Sequence, residues 1–151
     1  EGGAHVLPQI KALVENGIPV MGHLGLTPQS VNQFGGYVVQ GKGNAGEKLL
    51  QDAKDLELAG AFAIVVEVIP TELAAELSKS VNIPIIGIGA GNKTDAQVLV
   101  WQDLVGALSG HTPKFVQPYA DLKSVITEAV SKWAHDVSSG AYPDDSHSYH
   151  R

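Results

Sequence analysis

The sequence predicts an α/β protein built on a parallel sheet. Four short apolar runs recur along its 151 residues: Ile18–Met21, Ala61–Val68, Ile83–Ile88 and, more weakly, Gln97–Trp101. They are rich in Val and Ile and do not alternate with polar residues, the pattern of parallel strands covered on both faces. Turn residues and then a helical pattern follow the runs, and alternating strand and helix is the signature of a parallel α/β sheet. Doubly wound sheets and barrels both satisfy it. A (β/α)8 barrel typically takes ~250 residues, and four strands cannot close one.

The elements follow in order. Val6, Ile10, Leu13 and Val14 share one helical face, and Gly17 stands where a C-cap is expected. The strand Ile18–Met21 comes next, then Gly22-His23-Leu24-Gly25 at its exit. A long loop holding Phe34-Gly35-Gly36-Tyr37 leads to Asn44 and Glu47, spaced as a capping box ahead of Leu49, Leu50, Ala53 and Leu56. Gly60 ends that helix and the strand Ala61–Val68 begins. Thr71 is placed to cap a helix carrying Leu73, Ala74 and Leu77. After the third strand, Gly87 to Asn92 read GIGAGN. This lacks the G-x-G-x-x-G spacing of a dinucleotide loop, and both a backbone approach to a ligand and a plain tight turn satisfy it. The last helix shows the clearest stripe: Leu122, Val125, Ile126, Ala129, Val130 and Trp133. Trp101 and Trp133 read as core residues. The segment from Asp136 onward is polar and turn-rich, an extended tail in which His147 and His150 read as solvated.

Composition narrows the function. Hydrophobic residues make up 44% of the chain and the net charge is −6, which argues against nucleic acid or an anionic membrane as partner. The absence of Cys removes disulfides, thiolate catalysis and Cys–zinc sites, and suits a reducing cytoplasm. No apolar run has the length of a bilayer span. The chain opens on EGG without an initiator Met, and reads as a fragment or a processed product.

Two residues carry candidate chemistry. Glu67 sits late in the apolar run AFAIVVEVIP, where an unpartnered carboxylate would cost several kcal/mol unless it finds a partner or takes up a proton. Strand C-termini carry the active site in parallel α/β folds. A Glu reaching solvent or pairing with a Lys is the plainer alternative. His23 sits at the exit of the preceding strand, where a loop histidine satisfied by hydrogen bonds is likewise the plainer alternative. Two such side chains at successive strand exits would meet at one end of the sheet.

Several segments together resemble one family. They are EGG at Glu1–Gly3, PVMGHLGLTPQSVNQFGGYVVQGK at Pro19–Lys42 and VVEVIPTELA at Val65–Ala74. Further on come IPIIGIGAGNKTDAQVLVWQDLVG at Ile83–Gly106, PKFVQPYADL at Pro113–Leu122, and GAYPDDSHSYH in the tail. In order and spacing the chain is similar to 3-methyl-2-oxobutanoate (ketopantoate) hydroxymethyltransferases. The resemblance implies a TIM (β/α)8 barrel of which this chain covers about strands five to eight. Residues 1–136 would be the C-terminal half of the barrel, residues 137–151 a polar tail, and Glu1–Gly3 the exit of the fourth strand. Ala96 stands where the family usually has Gly and Gln102 where His is common, and both departures are expected to be tolerated.

The resemblance also implies a reaction. A one-carbon unit passes from 5,10-methylenetetrahydrofolate to 3-methyl-2-oxobutanoate, giving 2-dehydropantoate for pantothenate synthesis. Magnesium would bind the 2-oxo acid and stabilise the enolate, and a carboxylate base would take the C3 proton. Residue by residue, Glu67 corresponds to the catalytic base, His23 to the active-site histidine that binds substrate, and Glu1 to a metal-associated carboxylate. The family's two Asp, a Ser and a Lys on earlier strands have no counterpart here. A cytoplasmic homo-oligomer, a decamer for the full-length enzyme, is the implied assembly. The competing expectation is a catalytically silent half-barrel that assembles with itself or with a missing N-terminal half.

Overall fold

The computed structural model describes residues 1–108, 110 and 112–151. They divide into two compact units, Glu1–Val98 and Leu99–Arg151. The first unit contains the sheet. Its helices are α1 (Leu7–Glu15), α2 (Ala45–Leu58) and α3 (Thr71–Ser80), and its strands are β1 (Met21–Gly25), β2 (Ala63–Glu67), β3 (Ile85–Ile88) and β4 (Ala96–Gln97). The strands lie in the order β1-β2-β3-β4 and every pairing is parallel. The fold is therefore the predicted α/β arrangement with a parallel four-stranded sheet.

One face of that sheet holds the core. Leu24, Ile64, Val66 and Ile85 project from it against Ile10 of α1, Ala53 and Leu56 of α2, and Leu73, Ala74 and Leu77 of α3. Leu56, Ile64, Leu77 and Ile85 are fully buried, and each contributes about 1.5–3 kcal/mol through removal from water. Alternation along the strands sends Met21, His23, Val65, Glu67 and Ile86 to the other face, where they are half-buried or, for Met21, exposed. The unalternating runs predicted cover on both faces, whereas the helices of this unit cover one.

Several boundaries and caps differ from expectation. The first strand begins at Met21 rather than Ile18. Gly17, at φ +77°, closes a Schellman turn in which its N–H bonds Val14 O and the Ile18 N–H bonds Leu13 O. Ile18 thus belongs to the helix cap, and Pro19 has no N–H for a ladder. Asn44 precedes α2 but makes no side-chain cap, so no capping box forms. At α3 the cap position falls on Pro70 and Thr71 is already helical. The fourth strand is only Ala96–Gln97, and Trp101 opens a short helix instead of ending a strand. Ala96 is exposed and has no positive φ, so nothing at this position demands Gly.

The second unit comprises α4 (Trp101–Leu104), α5 (Leu122–Ser139) and a 3-10 turn at Asp145–His147. Asp121 caps α5: its carboxylate accepts from the Ser124 N–H and hydroxyl, which holds its pKa below the ordinary carboxylate value. Gly140 ends the helix in the left-handed conformation. The predicted stripe is helical, but α5 buries none of its residues. Trp101 and Trp133 are 60% and 56% exposed, which corrects their reading as core. Periodicity marks which face of a helix is apolar without saying what covers it. No helix among the described residues is long and apolar enough to cross a membrane.

Candidate active site

The site is built on the registered pair β1–β2. His23 lies opposite Val65 and Gly25 opposite Glu67, so His23 and Glu67 are diagonal neighbours on the same face. Their side chains meet, with His23 Nε2 3.0 Å from Glu67 Oε2. An ionised carboxylate can only accept, so the ring N–H at Nε2 is the donor when Glu67 is charged. The two side chains are 19% and 15% exposed, so both are largely shielded from water.

Gly25 makes the close approach possible. At φ +88° it turns the chain out of β1, and a Cβ there would stand 2.2 Å from the Glu67 carbonyl oxygen. Leu26 then donates its N–H to that same carbonyl at 2.8 Å. Gly22 serves differently from Gly25. It lies inside the strand, where a Cβ would press within 3.0 Å of Leu56. His23 itself is a strand residue, not a residue beyond the exit.

Glu1 completes the group. The Gly2 N–H bonds the His23 carbonyl at 3.0 Å, which runs the start of the chain alongside β1. Glu1 Oε1 is then 3.8 Å from His23 Nδ1, in ion-pair range but beyond a hydrogen bond. The three residues singled out from the sequence therefore converge, with the imidazole between two carboxylates.

Val68 carries no recognisable signal in the sequence, yet it shapes the site. Directly after Glu67 it takes φ 49°, the one positive φ at a non-glycine among the described residues. For a β-branched side chain this conformation costs of order 1–3 kcal/mol. Three bonds hold it: Val68 N–H to Ile88 O, Gln40 N–H to Val68 O, and Leu26 N–H to the neighbouring Glu67 O. The GIGAGN segment is a tight turn with positive φ at Gly89 and Gly91, packed on Thr71. His147 is exposed and pairs with Asp144.

Comparison with known proteins agrees with this arrangement of motifs. A profile described as ketopantoate hydroxymethyltransferase matches residues 1–145.

The chain belongs to the ketopantoate hydroxymethyltransferase family.

Its relatives include proteins named 3-methyl-2-oxobutanoate hydroxymethyltransferase. That of Frankia alni is 56% identical over 149 residues, covering 99% of this chain and 49% of the relative. That of Streptomyces coelicolor is 56% identical over 151 residues, covering 99% and 52%. That of Clostridium botulinum is 53% identical over 150 residues, covering 99% and 54%. The chain spans about half the length of the curated relatives it matches.

A magnesium ion takes oxygen ligands in octahedral array. Among the described residues no three metal-ligating side chains converge in a metal-binding group. Glu67 is engaged with His23, which leaves Glu1 as a single carboxylate donor facing the site. These residues do not make a magnesium site by themselves.

Proposed function

We propose that this chain carries the catalytic base of a 3-methyl-2-oxobutanoate hydroxymethyltransferase. The observation that supports it is the 3.0 Å contact of His23 Nε2 with Glu67 Oε2 on a half-buried sheet face. One carboxylate oxygen is oriented by the imidazole and the other is left to accept a proton. In this reading Glu67 takes the C3 proton of the 2-oxo acid. His23 binds substrate and fixes the angle of the carboxylate. One of the two carbon–nitrogen bonds of the folate's methylene bridge opens to an iminium as its nitrogen takes up a proton. The C3 carbanion attacks the iminium carbon. Water then displaces the second nitrogen, leaving its hydroxyl on the transferred carbon and its proton on that nitrogen. The products are 2-dehydropantoate and tetrahydrofolate. A bound magnesium ion would stabilise the enolate oxygen, with Glu1 as one ligand and the other donors coming from outside these residues.

The same reading treats β1 to β4 as strands five to eight of a TIM barrel. Residues 1–136 form its C-terminal half and 137–151 a tail. The parallel sheet covered by helices on one face supports it, since barrel strands turn their other face inward. Gly2 pairing with His23 supports Glu1–Gly3 as the end of the strand before β1. Homo-oligomeric assembly, a decamer, and a cytoplasmic location belong to this reading, with small molecules rather than nucleic acid or membrane as partners.

The test is tetrahydrofolate release by the complete protein carrying this sequence, supplied with magnesium, 5,10-methylenetetrahydrofolate and 3-methyl-2-oxobutanoate. Stoichiometric 2-dehydropantoate is expected. A folded protein that releases no tetrahydrofolate would overturn the proposal.

A further inference from the structure

Asp52 is a buried carboxylate that the reaction does not use. It lies on the apolar face of α2, three residues after Leu49 and four before Leu56, with only 5% of its side chain exposed. A hydrophobic residue at such a position is often as stabilising as an ion pair or more so. The partner Lys48 is 71% exposed and reaches Asp52 Oδ2 at 2.6 Å. That contact neutralises the charge, but an exposed lysine adds little stability of its own.

The other carboxylate oxygen has a specific task. Asp52 Oδ1 accepts the backbone N–H of Ala4 at 3.1 Å. Gly3 is pressed against the same group, and a Cβ on it would stand 2.2 Å from Asp52 Cγ. On the other side Gly2 is bonded to the His23 carbonyl. The segment 1–4 is thus held at two points: β1 through Gly2, and α2 through Ala4. Glu1 stands at its head, 3.8 Å from His23. A cavity of about 300 Å³, walled by Gly2, Gly3, Gly25 and Asp52 among others, opens beside the segment. Without its bond to Asp52 the segment has room to shift.

We propose that Asp52 is a positioning residue for the active site, fixing Gly3 and Ala4 so that Glu1 faces His23. It acts through the backbone and touches no reacting atom. The proposal rests on the reading of Glu1 as a site residue, and the experiment separates the two.

In the complete, active protein, Asp52→Ala, Asp52→Asn, Gly3→Ala and Glu1→Gln are compared for kcat, KM and amide hydrogen exchange. Asp52→Ala is expected to lower kcat by roughly 10- to 100-fold, the scale of a misplacement of about 1 Å, with a smaller change in KM. The Ala4 amide should exchange faster while Leu24 and Leu26 in β1 and its exit keep their protection. Asp52→Asn keeps an acceptor for Ala4 and should recover most of the turnover. Gly3→Ala leaves both polar partners in place but forces them apart, and should resemble Asp52→Ala. Should Asp52→Ala fail to fold, the Asn and Gly3 variants decide. Unchanged kcat and Ala4 exchange in Asp52→Ala or Gly3→Ala, with Glu1→Gln inactive, would overturn the anchoring role. Full turnover in Glu1→Gln would remove Glu1 from the site, and the Ala4 exchange rates alone would then decide whether Asp52 holds the segment.

Discussion

His23 Nε2 lies 3.0 Å from Glu67 Oε2 across two adjacent parallel strands. The register makes this contact: His23 faces Val65, two residues before Glu67 on the same face. The contact answers the cost of placing a carboxylate in an apolar strand, because the imidazole gives it a hydrogen-bond partner. It also defines a direction. One carboxylate oxygen is fixed by the imidazole, which sets the orientation of the other.

His23→Ala removes that partner and the contact to Glu1. Turnover is expected to fall by roughly 10- to 100-fold, the worth of a hydrogen bond to a charged group, while the melting temperature changes little. His23 belongs to none of the apolar core, so its loss leaves no cavity there. Steady-state kinetics alongside thermal denaturation checks this. A large loss of stability with unchanged kinetics would mark His23 as a structural residue.

Val68→Gly should separate stability from activity. Glycine adopts φ 49° without strain, so the melting temperature should not drop despite the smaller side chain. The turn after Glu67 then loses its rigidity, and kcat should fall several-fold. Val68→Asn, which tolerates the left-handed conformation, should keep more activity than Val68→Gly. A marked drop in melting temperature for both variants would show that the Val68 side chain matters more than its backbone angle.

Leu56→Ala is expected to destabilise the fold by about 2–5 kcal/mol. Leu56 is fully buried between α2 and the sheet and packs on Gly22. Chemical denaturation measures the loss. A loss below about 1 kcal/mol would mean that the α2–sheet contact relaxes to fill the space.

Much of this was legible in the sequence. The apolar runs gave strands in the right order, because buried parallel strands tolerate few polar residues whatever their partners. Their ends were less legible. The cap on α1 absorbs Ile18, so β1 slides forward and takes His23 into the strand. Asn44 and Thr71 have the residue types of caps, but the backbone does not present them as such. At β4, pairing across the sheet rather than local pattern decides which residues extend. Glu67 stood out as a charge in an apolar run. Asp52 offered the same signal, an acid on the face of Leu49, Ala53 and Leu56, with Lys48 one turn before it. Val68 offered none, since no residue letter announces a strained φ.

Residues 1–151 on their own are expected to release no tetrahydrofolate. The sheet face bearing His23 and Glu67 also leaves Met21 43% exposed, and Glu1 is one carboxylate where magnesium takes six oxygens. Exposed apolar surface of this kind favours association. Light scattering should therefore report self-association in the same sample. Turnover from a monodisperse monomer would mean that the site is complete within these residues.

The role of Glu67 is tested most directly by exchange of the C3 hydrogen of 3-methyl-2-oxobutanoate for solvent deuterium. Proton NMR follows it in the presence of magnesium, with folate left out, because this step needs the base and not the one-carbon donor. The complete protein carrying this sequence is expected to catalyse the exchange. Glu67→Gln should slow it by roughly 10²–10⁴-fold, with a melting temperature close to that of the wild type. Exchange at the wild-type rate in Glu67→Gln would mean that another group takes the proton, and would contradict the assignment of Glu67 as the base.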